Sequence, residues 1–111
     1  NLWYFTNKMA LYYNVVGSTS VTTQLASPNS EIDVNVISIC NIHASNNASI
    51  TVFIQDDPTS GVTNTYKIIN NVVLPAKTTL VLDDGDLFTY DNKYGLYITV
   101  GSSDTVDVII K

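Results

Sequence analysis

Arginine is missing from this chain, and its five basic residues, Lys8, Lys67, Lys77, Lys93 and Lys111, are lysines scattered along the length. A phosphate-binding surface needs clustered cations, and base-reading contacts lean on the arginine fork, so no nucleic acid partner is expected. The same scatter, on a chain of formal charge −5, argues against an anionic membrane surface. Cys40 is the single cysteine, which leaves no intrachain disulfide and excludes a disulfide-stapled scaffold. No run approaches the ~20 apolar residues of a membrane-crossing helix, and the first residues lack the basic, then apolar, then small order of a secretory signal. Strong helix formers other than Leu are also scarce: five Ala, two Gln and one Glu.

What the chain has instead is branched side chains. Thirteen Val, eleven Ile and thirteen Thr make up a third of the 111 residues. Such side chains lose rotamer freedom in a helix and pack well on a pleated surface, so an all-β domain is expected. The length suits one domain with one core.

Apolar residues recur at period two, punctuated by Gly, Asn, Asp, Pro and Ser clusters, and read as about eight strands of an antiparallel sandwich, immunoglobulin-like or jelly-roll-like. Leu11 to Val16 is the first. Ser20 to Leu25 breaks strict alternation and reads as an edge. Ile32, Val34 and Val36 then slip by one to Ile37, Ile39 and Ile42, the signature of a bulge. With Asn46 and Asn47 between them, residues 32–43 and 48–55 read as a hairpin. Thr65 to Ile69 follows, and Pro75 makes Val72 to Leu74 a strand end or an edge. Thr78 to Leu82, Leu87 to Tyr90, Leu96 to Val100 and Thr105 to Ile110 complete the set. The expected core is Ile39, Ile50, Val52, Ile54, Leu80, Leu82, Ile98, Val100, Val106 and Val108.

Residues 1–10 fit no strand pairing, and the sandwich is assigned to 11–111. Leu2, Trp3, Tyr4 and Phe5 form an aromatic run that water alone cannot satisfy, and they are the expected partner-binding residues. Met9 followed by Ala10 reads as a natural start for the compact domain. The first eight residues are then an extended arm, a cloning remnant or the end of a longer leader.

Residues that carry chemistry are few. Cys40 and His43 stand three apart, which in a strand puts them on opposite sides, and there is no second cysteine or histidine to complete a tetrahedral metal site. Cys40 is expected to be a buried, inert core residue and His43 a hairpin end. Asp83, Asp84 and Asp86 around Gly85, with Asp56 and Asp57 elsewhere, lack the spacing of a calcium loop and read as turn residues. His43 is the only base available to a Ser or Cys nucleophile, and no buried acid/base pair stands out, so no catalytic residue, metal or cofactor is assigned. Tyr12 and Tyr13, or Tyr90, Tyr94 and Tyr97, are candidates for a sugar-stacking platform, weighed against ordinary half-buried strand tyrosines.

Ile37-Ser38-Ile39-Cys40-Asn41-Ile42 is followed by Ala48-Ser49-Ile50-Thr51-Val52-Phe53-Ile54, then by Val73 to Leu82 and by an ending in which Val100, Gly101, Ser102 and Ser103 precede a last strand. In these stretches the chain from Met9 to Lys111 resembles the small structural proteins of tailed-bacteriophage virions. The resemblance implies a compact, non-enzymatic β-sandwich that decorates a capsid or completes a neck or tail, located in the virion. It also implies capsid or tail proteins as partners and a homo-oligomeric state. The second expectation is a carbohydrate-binding or receptor-binding module of the same particle. A calcium-dependent or hydrolytic domain ranks last.

Overall fold

A computed structural model describes residues 11–16, 22–29, 34–56, 64–83, 93–101 and 104–111. The expected arm at 1–10, with Leu2, Trp3, Tyr4 and Phe5, and the expected strand at Leu87 to Tyr90 lie outside these. The described residues are all-β, in eight strands: β1 (Leu11–Val16), β2 (Thr22–Ala26), β3 (Ile37–Asn41), β4 (Ala48–Asp56), β5 (Thr65–Leu74), β6 (Thr79–Leu82), β7 (Tyr94–Val100) and β8 (Thr105–Ile110).

They form two four-stranded antiparallel sheets, sheet A in the order β1-β8-β3-β6 and sheet B in the order β2-β7-β4-β5. The pairings are nested: β1 with β8, β2 with β7, β3 with β6 and β4 with β5. Further ladders between β3 and β8 and between β4 and β7 close the sheets. A long hairpin rolled on itself gives this order, so the sandwich is a jelly roll. An immunoglobulin-type sandwich would instead pair sequence neighbours in both sheets.

Period-two alternation supplies the core. Sheet A turns Val15, Ile37, Ile39, Val106, Val108 and Ile110 inward, and sheet B meets them with Leu25, Ile50, Val52, Leu96, Ile98 and Val100, all buried. Of the ten core positions expected from sequence, seven are buried; Ile54, Leu80 and Leu82 are half-buried and pack against that core. Leu80 and Leu82 lie on β6, an outer strand of sheet A, where one neighbour is missing. The expected edges at β2 and at the end of β5 are the two outer strands of sheet B. The phase slip also has a physical counterpart. The amides of Asn35 and Val36 both donate to the Lys111 carbonyl, at 2.7 and 3.1 Å, so two residues oppose one before β3 begins.

The expected hairpin of 32–43 with 48–55 does not form. β3 lies in sheet A and β4 in sheet B, so residues 42–47 arch from one sheet to the other, and β4 makes its hairpin with β5. Alternation specifies which face of a strand is buried, not which strand lies beside it. Two strands that face each other across a core carry the same pattern as two that pair.

Asn41 holds this arch. It takes the third inward position of β3, where Ile42 had been expected to point in, and it is fully buried while Ile42 is exposed. Its Nδ2 donates to the carbonyls of Asn46 (2.9 Å) and Leu74 (3.0 Å), and its Oδ1 accepts the His43 amide at 3.0 Å. The Leu74 bond ties sheet A to sheet B. At another crossing the Tyr13 hydroxyl of β1 donates to the Leu25 carbonyl of β2 at 2.7 Å.

Asn41→Ala leaves two carbonyls and an amide without these partners. It should lower the free energy of unfolding by at least about 1–3 kcal/mol in urea titrations. Ile98→Ala, which opens a cavity in the centre of the core, should cost about 2–5 kcal/mol, whereas Thr79→Ala on the outer side should stay within about 0.5 kcal/mol. An Asn41→Ala protein as stable as the parent would show that the arch does not depend on the carboxamide.

Candidate functional site

The residues with chemical potential are dispersed. Cys40 is not in the core: it is half-buried on the outer side of β3, opposite Thr79 and Asp107, because the inward positions belong to Ile39 and Asn41. His43 stands in the arch, not at a hairpin end, and its Nδ1 accepts the amides of Ser45 and Asn46, both at 3.1 Å. An imidazole nitrogen engaged in this way organises a turn. Among the described residues no three His, Cys, Asp or Glu side chains gather around a common point; Asp57, Asp84 and Asp86 lie outside them.

What the fold does assemble is two outer sheet faces of different chemistry. On sheet A the register sets Tyr12, Ile109, Ser38 and Val81 in one row across all four strands. Asn14, Asp107, Cys40 and Thr79 form the next row. Val16 lies opposite Thr105, whose carbonyl accepts the Ile42 amide. Tyr12, Val16, Val81 and Ile42 are 73, 56, 50 and 46 % exposed, so four large apolar side chains stand in solvent on this face. Asp107 is the only charged residue in these rows, and the Asn14 amide donates to its carboxylate at 2.7 Å. A shallow hollow of about 280 Å³ runs beside Tyr12, Asn14, Asp107 and Ile109.

The outer face of sheet B carries mostly polar side chains, with Val73, opposite Ser49, standing 61 % exposed among them. One row reads Gln24, Tyr97, Phe53 and Lys67, and the next reads Thr22, Thr99 and Thr51, with the Asn71 amide donating to the Thr51 hydroxyl at 2.9 Å. Phe53 and Tyr97 stack with centroids 5.3 Å apart and planes within 14°. A groove of about 290 Å³ lies over β4 and β5, between Phe53, Gln55, Lys67, Asn70 and Asn71.

The tyrosines expected to make a sugar platform are divided among these surfaces. Tyr12 is on the sheet A face and Tyr13 points inward. Tyr94 packs against Tyr66 at 5.9 Å, beneath the Lys93 ammonium, and Tyr90 lies outside the described residues. Among the described candidates only Tyr97 joins an aromatic pair on an outer face, and its partner Phe53 is not one of the candidates. The signal for Phe53 was its place in Thr51-Phe53-Gln55, the outward set that alternates with Ile50, Val52 and Ile54.

Asp56, expected only as a loop residue, closes the β4–β5 hairpin by accepting the Asn64 amide at 2.8 Å and the Asn64 Nδ2 at 3.0 Å. These bonds, the backbone one first, favour the charged form and hold its carboxyl below the ordinary value of 3.8. A depressed carboxyl contributes stability above its unfolded pKa and loses it as pH falls through the folded value. The Asn64 amide resonance, followed by NMR during acidification, should therefore shift with a midpoint below 3.8. In Asp56→Asn that titration should vanish; a midpoint at or above the ordinary value would mean the hairpin closure is not made in solution.

No family model matches this chain, and no curated protein does either. Among solved structures it is similar to the crystal structure of PirA, with a TM-score of 0.57, 11 % sequence identity, and coverage of 91 % of this chain and 90 % of that one. At that identity the likeness is one of fold, and it spans nearly the whole sandwich.

Proposed function

We propose that this protein is a non-enzymatic structural subunit of a phage virion, a capsid decoration or a neck or tail accessory protein, that stabilises the particle by packing against neighbouring subunits. The observation that carries this reading is the outer face of sheet A. Tyr12 and Val81 at the two ends of one row, and Val16 and Ile42 beyond the row of Asn14, Asp107, Cys40 and Thr79, put four exposed apolar side chains with one charge among them on a single face, and such a face suits a partner. The jelly roll supports it, since closed double sheets of this type recur in capsid domains. So does the resemblance of residues 9–111 to small virion proteins.

Residues 1–10 join the sandwich at Leu11, the first residue of β1, and β1 is an outer strand of sheet A that itself carries Tyr12 and Val16. Leu2, Trp3, Tyr4 and Phe5, which precede that strand in the sequence, are assigned to partner binding as part of the same proposal. A contact of roughly 600–1,000 Å² per partner is ordinary for such a subunit.

Charge placed on the face tests the proposal. Tyr12→Asp combined with Val81→Asp changes only exposed side chains, so the domain should keep its melting temperature. Two carboxylates buried in an interface without partners cost several kcal/mol, so assembly should weaken by about a hundredfold or more. Sedimentation of the isolated protein, and mass spectrometry of purified particles carrying the variant, read the two halves. Deletion of residues 1–8 should likewise leave the domain folded and reduce incorporation. Unchanged assembly of the double variant sinks the assignment of this face, and absence of the wild-type protein from particles sinks the virion reading.

A further inference from the structure

The sheet B groove is on the opposite side of the sandwich from the proposed assembly face, and it is built differently. Phe53 pairs with Tyr97 on β7 to one side and with Lys67 on β5 to the other. The Tyr97 ring covers one face of the Phe53 ring. The remaining face is on the β5 side, where Phe53 lines the groove. The stack fixes the ring and the Gln24 amide in turn donates to the Tyr97 hydroxyl at 3.3 Å, so the wall is held from behind.

Among the described residues, the groove around that wall is lined by groups that hydrogen-bond without carrying net charge, apart from one ammonium. Gln55 is oriented by the bond from its Nε2 to the Thr65 hydroxyl at 2.9 Å, and Lys67 Nζ donates to Asn70 Oδ1 at 3.3 Å. Asn71 is held in the left-handed region at φ 50°, where β5 shifts register against β4, and its backbone amide is anchored on Thr51. The irregularity thus brings Asn70 and Asn71 together at the groove. An aromatic face beside convergent amides, a hydroxyl and a single lysine matches a molecule with one apolar C–H face and a rim of hydroxyls.

We infer that this groove binds a pyranose ring of a surface glycan, stacked on Phe53 with its hydroxyls toward Gln55, Lys67, Asn70 and Asn71. The volume of about 290 Å³ stands at the small end of ligand sites and suits one sugar unit, with the open ends of the groove left for the rest of a chain. Lys67, the only charged residue among the described residues lining the groove of a protein with net charge −5, sets the choice between a neutral sugar and one bearing a carboxylate.

The test uses the full chain, labelled with nitrogen-15, titrated separately with methyl glucoside, methyl galactoside, N-acetylglucosamine, glucuronate and sialic acid, after a glycan-array screen. Amide shifts should cluster on residues 51–55, 65–71 and 97–99 for at least one sugar. Phe53→Ala should weaken that binding by about tenfold, and the exposed change Lys67→Met should weaken it comparably without loss of fold. A stronger Lys67→Met effect on glucuronate than on glucoside identifies the carboxylate class, and equal effects identify the neutral class. Tyr12→Asp should bind as the parent does. Array silence with no shifts from any of the five sugars, shifts confined to the sheet A face, or binding unchanged in both groove variants would overturn the inference.

Discussion

Strand alternation reserves the third inward position of β3, after Ile37 and Ile39, for an apolar side chain, and the protein puts Asn41 there, fully buried. A carboxamide carried into an apolar interior is tolerated only when its polar atoms are met, because each orphaned group costs on the order of 1–3 kcal/mol. The carboxamide can be met only by groups that belong to other parts of the fold: the arch that follows it and the Leu74 carbonyl of the facing sheet. The backbone of the same residue donates to the Thr78 carbonyl and accepts the Lys77 amide, on the crossing from β5 to β6. Two of the connections that carry the chain between sheets therefore converge on one residue. The separation of the sheets, the exit of β3 and the entry of β6 are set together.

The faces of the strands were legible in the sequence because burial acts on them one residue at a time. Ile39, Ile50, Val52, Ile98, Val100, Val106 and Val108 each stand in a local period-two run, and each is buried. Lateral partners were not legible. A rolled chain places β3 opposite β4 across the core, and the six residues between them look the same whether they turn back within a sheet or arch across it. Asn41 shows the second limit: an inward asparagine can be recognised only when the carbonyls that receive it are known, and Leu74 is 33 positions away. The candidate faces followed the same division. The outward sets of Tyr12, Asn14 and Val16 and of Thr51, Phe53 and Gln55 are in the sequence, but the rows they form with β8 and β7 depend on which strands adjoin.

The two outer faces belong to different sheets with no strand in common, and each exists because every inward residue has an outward neighbour. Sheet A sets Tyr12, Val16, Val81 and Ile109 outward among Asn14, Ser38, Thr79 and Asp107, and sheet B sets Thr, Gln, Asn, Lys67, Val73 and one stacked aromatic pair outward. A subunit seated through sheet A turns the sheet B groove away from its support and toward solvent. Attachment and recognition would then occupy opposite sides of a single core, with neither requiring a change in shape.

Nested pairing also governs the order in which this molecule becomes itself. The β4–β5 hairpin is the one ladder between consecutive strands among those described, and every other ladder joins segments farther apart, until Leu11 at the start of β1 meets Ile110 at the end of β8. Closing such loops before their contacts exist is entropically unfavourable, and chains dominated by distant pairings fold on the slow side, in milliseconds to seconds. β8 is the central partner of both β1 and β3, and it follows every other described strand in the sequence. Until it arrives, β1 and β3 have open edges beside a half-covered apolar face, so the nascent chain is at its most adhesive before β8 emerges. Dense production of such a subunit would therefore favour either rapid release or a chaperone that shields Ile37 to Asn41 while the roll waits to close.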